Sequence, residues 1–353
     1  MSGPSIWIRG EARATERRTP IVPADAAALV RAGCRLSVEE SAQRCFEIAD
    51  YAEAGCQIVP AGSWPDAPLD SLVLGLKELP DEPAELRHRH SYFGHAYKEQ
   101  EGSQRLLRRF LDGGGELLDL EYLTDDDGRR LAAFGYWAGY LGAALAVLHY
   151  RGQLTGPLQS GSREQLDSRL TPVAGADQPT VLVIGALGRS GRGACDALAV
   201  AGITATGWDV AETRELDRAA LLDHDVLVNT VLVNRPVPPF LRPADVADPA
   251  RRLRVVSDVT CDVTSPFNVL PIYQQVTSWQ QPASRLAADP VLDLIAIDNL
   301  PALLPVQASL AFSAELAPQL LRLQEESGPW RNALRSFHDA CTSLQLDDEV
   351  SDV

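Results

Sequence analysis

Short apolar runs alternate with helical patterns over the first third of the chain. Residues 6–9, 36–38, 57–60, 71–76 and 116–121 read as strands, and 23–32, 50–55 and 104–112 as helices. Gly33 stops the first helix, and Gly113, Gly114 and Gly115 stop the third. This βαβ rhythm predicts a parallel sheet with helices on its faces. A second series begins at Thr180, with strands over 181–184, 203–208, 226–229, 254–259 and 294–297. Between the two series, 152–178 reads as a polar surface loop with one short helix. Helices over 305–323 and 330–344 close the chain, and the acidic end, 347–353, is expected to fray.

One segment breaks the alternation. Residues 131–150 contain no Asp, Glu, Lys or Arg, and that length nearly spans a bilayer. Gly135, Gly139 and Gly142 within it are spaced to let another helix approach closely, and His149 lies near its end. The segment is therefore read as a buried helix between domains rather than a membrane span.

Composition narrows the class. A chain of 353 residues is long enough for two domains and a substantial core. Its net charge of −16 excludes a phosphate-backbone binder, so no nucleic-acid partner is expected. The six cysteines are scattered, with no CxxC pair and no zinc-ligand spacing, which argues for reduced thiols and no metal. The N-terminus lacks a basic segment followed by an apolar core, so the cytoplasm is the expected compartment. No exposed apolar stripe stands out, which is compatible with a monomer.

Candidate chemistry begins at Lys77, directly after the apolar run ending in Gly75 and Leu76. A lysine at the carboxyl end of a buried strand points into the crevice where α/β folds place ligands. Partial desolvation would let it exchange protons near neutral pH. A solvated lysine opening a loop is the competing reading. His88, His90 and His95 follow closely, and the first two read as solvated loop residues. Upstream lie Glu11, Arg13, Glu16, Arg17 and Arg18, and further on Arg129 and Arg130. Arginines facing a cleft would imply a substrate bearing carboxylates.

A second constellation follows the strand at 181–184. Gly185, Gly188 and Gly191 form a glycine turn that opens a helix, where backbone N–H groups and the helix dipole favour a pyrophosphate. Asp209 ends the next strand, placed to bind ribose hydroxyls and to repel a 2′-phosphate, so NAD is favoured over NADP. An ordinary βαβ turn with a surface Asp209 is the alternative. Val259, after Asp258, and Ile297, Asp298 and Leu300 stand at later strand ends on the same sheet edge.

Taken together, Glu16-x-Arg18, Val59-Pro60-Ala61-Gly62-Ser63-Trp64, Gly75-Leu76-Lys77-Glu78, His95-Ala96-Tyr97-Lys98-x-Gln100, the Gly128 to Gly135 run and Ile184-Gly185-Ala186-Leu187-Gly188-Arg189 resemble the NAD-dependent, lysine-forming saccharopine dehydrogenases. The resemblance implies an α/β fold of two Rossmann-like domains, each a parallel sheet flanked by helices, with the active site in the interdomain cleft. It implies a substrate domain over 1–134 and 302–353 and an NAD domain over 135–301. The implied reaction is reversible oxidative deamination of saccharopine to lysine and 2-oxoglutarate, with no partner beyond these small molecules and no membrane. A related dehydrogenase with another amine, or an NAD-binding scaffold without catalysis, would share the fold.

The resemblance also implies residue roles. Lys77 would exchange protons with the substrate amine, and His95 would handle water addition and collapse. Arg18, Lys98, Gln100, Arg130 and Phe134 would bind substrate, while Glu16, Glu78 and Glu121 would tune the acid/base pair. Gly185, Gly188, Arg189, Gly191, Asp209, Thr213, Val259, Ile297, Asp298 and Leu300 would bind NAD. The chain departs from its relatives at Ser190 and Thr230, which stand in place of cysteines. It departs also at Asn299 for a histidine, at Leu232 for an aromatic, and in a shorter 152–178 loop.

Overall fold

The computed structural model describes residues 3–97, 102–172, 178–233, 235–325 and 328–351, with side chains described as far as Leu344. It divides into two compact units: Met1–Ala133 with Ala308–Val353, and Phe134–Gln307.

The first unit carries β1 (Ser5–Ile8), α1 (Pro23–Arg31), β2 (Arg35–Glu39), α2 (Ile48–Glu53), β3 (Gln57–Val59), β4 (Ser71–Leu74), β5 (Arg89–Ser91), α3 (Ser103–Gly113) and β6 (Glu116–Leu117). The strands form one parallel sheet in the order β3-β2-β1-β4-β5-β6. Ile6 stands level with Leu36 on one side and Leu72 on the other. A strand with parallel neighbours and helices on both faces is apolar throughout, and Ile6, Trp7 and Ile8 are all buried. One buried carboxylate ties the ends of β1 and β2 to the turn after β3. Glu39 accepts from Trp7 Nε1 (3.1 Å), Gly10 N (2.7 Å), Gly62 N (3.0 Å) and Trp64 N (2.7 Å).

Two readings need correction here. His88 and His90 were expected to be solvated loop residues. They instead enter and form β5, and His90 is fully buried, its ring edge-on to Trp64 at 5.1 Å and to Phe110 at 5.5 Å. Burial pushes the His90 imidazole well below its ordinary value, so it packs as a neutral aromatic ring. The strand expected over 116–121 stops at Leu117. A 3₁₀ turn follows over Leu120–Tyr122, because the Asp119 carboxylate accepts from Glu121 N (2.9 Å) and closes the chain into a turn.

The second unit carries α4 (Gly135–Tyr150), α5 (Arg163–Leu170), β7 (Val181–Ile184), α6 (Arg189–Val200), β8 (Thr206–Trp208), α7 (Val210–Arg214), α8 (Arg218–Leu222), β9 (Val226–Asn229), α9 (Pro243–Val246), β10 (Val255–Asp258), β11 (Ser284–Ala288) and β12 (Val291–Ile295). Its sheet runs β11-β12-β10-β9-β7-β8, parallel except for β11 at the edge. Residues 284–288, half-buried and alternating weakly, give no strand signal in the sequence, and they are held by pairing with β12. The chain ends in α10 (Pro305–Leu320) and α11 (Pro329–Ser351), so the acidic end expected to fray stays helical as far as Ser351, and Asp352 and Val353 lie outside the described residues.

The charge-free segment is α4, and it packs against α6 and the sheet of its own unit. Its glycines do admit a helix: a β-carbon at Gly139 would collide with the Ser190 carbonyl oxygen, and one at Gly193 of α6 with the Tyr136 carbonyl oxygen. No helix among the described residues is long and apolar enough to cross a membrane.

Candidate active site

In the first unit the strand order reverses between β1 and β4, and open α/β sheets bind ligands beyond the carboxyl ends of strands at such a point. The loops leaving β1 and β4 meet there. Glu11 accepts from Leu76 N (2.7 Å) and Lys77 N (3.0 Å), and the buried Arg9 guanidinium donates to the Lys77 carbonyl. Lys77 is thus fixed at its backbone on both sides while its side chain remains half-buried. Arg13 donates to Glu78 Oε1 through Nε (3.0 Å) and Nη2 (2.5 Å). Partial burial would raise the Glu78 carboxyl, but its backbone hydrogen bond, Arg13 and Lys77 hold it below its ordinary value.

Glu16 and Arg18 form a buried two-pronged pair in the same crevice, with Arg18 Nε 2.8 Å from Oε1 and Nη2 2.6 Å from Oε2. Burial would raise the Glu16 carboxyl. The Arg18 hydrogen bonds and charge, with Lys77 adding to them, outweigh burial and hold it below its ordinary value. The carboxylate is therefore ionised, with the Lys77 charge among those acting on it.

His95 follows β5 in a left-handed backbone conformation (φ 49°), which non-glycine residues seldom adopt outside functional sites and turns. Its imidazole is exposed, with Nδ1 3.6 Å from Glu121 Oε2. Glu78 and His95 line the same cavity of about 360 Å³, together with Arg13, Tyr92, Arg105 and Arg109. The sequence reading missed two acids, Glu11 as the anchor of the Lys77 loop and Asp119 beneath His95. An acid inside an apolar run, as Asp119 is, was the available signal.

Arg130 is exposed and bridges Thr124 at the base of a small ribbon, in which Arg129 pairs with Asp125 (3.0 Å) and Asp127 (2.6 Å). Phe134 is half-buried, caps the N-terminus of α4 and belongs to the second unit. Lys98 and Gln100 lie outside the described residues. Among those that are described, no group of side chains is suited to hold a metal ion.

In the second unit the order reverses between β7 and β9, and the glycine turn leaves β7 at that place. Gly185 takes φ 84° and donates to the Trp208 carbonyl (2.8 Å). A β-carbon at Gly191 would collide with the Gly185 carbonyl oxygen, so turn and helix touch backbone to backbone. Gly188 is the N-cap of α6 and no side chain caps that helix, a geometry suited to a pyrophosphate. Arg189 is its first residue. Thr230 donates to the Ile184 carbonyl (2.8 Å) and bears on Gly185, holding the turn.

Asp209 ends β8 and accepts from Leu187 N (3.1 Å) through Oδ2 and from Val210 N (2.9 Å) through Oδ1. Thr213 donates its hydroxyl to the Asp209 carbonyl (2.8 Å). Leu187, Val210 and Leu232, after β7, β8 and β9, are 76%, 61% and 55% exposed, an apolar rim suited to a planar base. Val259 is half-buried after β10 and bears on Gly142, and Asp298 is exposed. Ile297 and Leu300 are buried.

Residues 7–141 match the alanine dehydrogenase/PNT N-terminal domain family. A solved L-alanine dehydrogenase structure superposes with a TM-score of 0.67 at 20% identity, over 96% of this chain and 93% of that one, which shows the Rossmann-like fold. The chain is 39% identical over 371 residues to the saccharopine dehydrogenase (NAD(+), L-lysine-forming) of Emericella nidulans, covering 98% of this chain and 99% of that protein. It is 40% identical over 368 residues to the enzyme of the same name from Schizosaccharomyces pombe, covering 98% and 100%. With such identity along nearly the whole of both chains, the protein belongs to the family of NAD(+)-dependent, L-lysine-forming saccharopine dehydrogenases.

Proposed function

We propose that this chain catalyses the reversible oxidative deamination of saccharopine, with water and NAD as co-substrates, to L-lysine and 2-oxoglutarate. The observation that carries the reading is the crevice at the β1/β4 switch point, where a backbone-anchored Lys77 lies within the field of the Glu16 and Glu78 carboxylates. Residues 1–133 with 308–353 supply the acid/base groups, and 134–307 supply the dinucleotide site.

NAD, when bound, accepts the hydride from the substrate carbon. Gly185, Gly188 and Arg189 would hold its pyrophosphate, Asp209 its adenosine ribose, and Val259 and Asp298 would stand at its other end. Lys77 takes the proton of the secondary amine as the carbon–nitrogen double bond forms. His95 takes a proton from the water that adds to the imine carbon, then assists the transfer that lets the carbon–nitrogen bond break, releasing lysine and leaving a carbonyl. Glu16, Glu78 and Glu121 keep negative charge near these groups. Arg18, Arg130, Lys98 and Gln100 supply recognition of the substrate carboxylates, with Phe134 against its chain. An acid/base pair has no role in a pure binding module, which argues against a scaffold. We place the reaction in the cytoplasm, in keeping with six cysteines that are all free.

The test is to supply saccharopine and NAD and follow NADH, lysine and 2-oxoglutarate together. Equal amounts of all three are expected, and a folded protein that forms none overturns the reading. Running the reverse reaction with ornithine or alanine in place of lysine separates saccharopine from another amine.

A further inference from the structure

We propose that Asp119 is a positioning residue that holds His95 and Glu121 in register with each other. The inference rests on the function proposed above and names a residue that acts through His95. Asp119 is wholly buried just past β6. One of its oxygens accepts from Glu121 N (2.9 Å) and the other from Gly94 N (3.2 Å). A single carboxylate thus ties the residue before His95 to the backbone of the acid that faces the imidazole. The local fit is narrow, since a β-carbon at Gly94 would lie 2.7 Å from Leu117 Cδ2 and 3.3 Å from Asp119 Oδ2. The left-handed conformation at His95 is strained and persists only where its surroundings enforce it, and the Gly94 N–H bond to Asp119 holds the residue directly before it.

The charges around the carboxyl are consistent with that role. Burial, with the Glu121 charge adding, pushes Asp119 up to about 6, against the lowering effect of the Glu121 and Gly94 N–H groups and of His95. Tyr92 and Tyr97 face it from the β5 side, and Cys341 of α11 lies behind Tyr97. Both phenols are held above their ordinary range by burial and stay neutral. Glu121 and His95 are therefore the charges that exchange with it.

The test is a double-mutant cycle between Asp119→Asn and His95→Gln, with NADH formation from saccharopine and NAD as the readout. Asp119→Asn keeps the size but presents an amide group where one N–H needs an acceptor. Alone, it is expected to lower kcat about 10–100-fold with KM for NAD within about twofold. The acidic limb of the kcat/KM profile should move down by about 0.5–1 pH unit, because an anion near the imidazole is lost. In the His95→Gln background the further loss should be under about threefold. An equal loss in both backgrounds, or wild-type kinetics, overturns the proposal. If Asp119→Asn does not fold, Asp119→Ser, which keeps a capping acceptor for Glu121 N, carries the same comparison. A wild type without turnover defeats the saccharopine reading instead. In that case the His95 ring resonances, assigned by their loss in His95→Gln, still decide: Asp119→Asn must move them, and unmoved resonances overturn the positioning.

Discussion

Arg18 directs Nε and Nη2 at the two oxygens of Glu16, at 2.8 and 2.6 Å, with the two side chains only 2% and 0% exposed. Taking either charge out of water is costly, and the pair is stable only as a pair. Glu16→Gln should therefore destabilise the fold by about 3–5 kcal/mol at pH 7 in urea titrations, since it removes the buried charge to which Arg18 Nε and Nη2 both donate. The pH dependence has a definite sign. The folded Glu16 carboxyl lies below its ordinary 4.5, so its stabilisation is complete above about pH 4.5 and is lost as pH falls through the folded value. The gap between wild type and variant should narrow below pH 4, and a gap unchanged at pH 3 would assign the effect elsewhere.

Lys77→Met and His95→Gln should each lower turnover by about 10²–10⁴-fold, the usual reach of one acid/base group. NADH binding, followed by fluorescence, should remain close to wild type, because neither residue belongs to the dinucleotide unit. A variant that loses NADH binding along with activity would show that the residue holds the fold rather than the proton.

Glu11 fixes the backbone on either side of the Leu76–Lys77 peptide. Glu11→Gln keeps the shape but sets an amide donor against one of two N–H groups. We expect kcat to fall about tenfold, with melting temperature lowered and NADH affinity unchanged. Unchanged turnover would mean that Lys77 keeps its place without this anchor.

Asp209 serves both its own short helix and the glycine turn, through Val210 N and Leu187 N. Asp209→Asn should weaken NADH binding about tenfold, and the preference for NAD over NADP should shrink as the negative charge is removed. Titration with both nucleotides checks this. A variant that still rejects NADP as strongly would place discrimination on other residues.

The sequence made the two βαβ series legible because strands buried on both faces read as unbroken apolar runs, as at 71–74 and 181–184. Lys77 and the glycine turn were legible for the same reason, since each directly follows such a run. β5 was not, because its Arg-His-Ser stretch reads as polar and only the tertiary surroundings turn His90 into a core ring. Nor was β11, whose place is set by its partner rather than by its own residues. Glu11 escaped because its role lies in backbone N–H groups of another loop, which no spacing along the chain encodes, and Asp119 left only the signal of an acid inside an apolar run.

The contact between α4 and α6, in which Gly139 meets the Ser190 carbonyl and Gly193 meets that of Tyr136, also constrains how this protein can change. A damaged side-chain contact can be repaired by a second mutation that repacks its neighbour. A carbonyl oxygen has no rotamer to change and no smaller version to mutate to. Revertant searches starting from Gly139→Ala should therefore return the original glycine far more often than a compensating change elsewhere, and this helix pair should act as a fixed point around which the rest of the unit drifts.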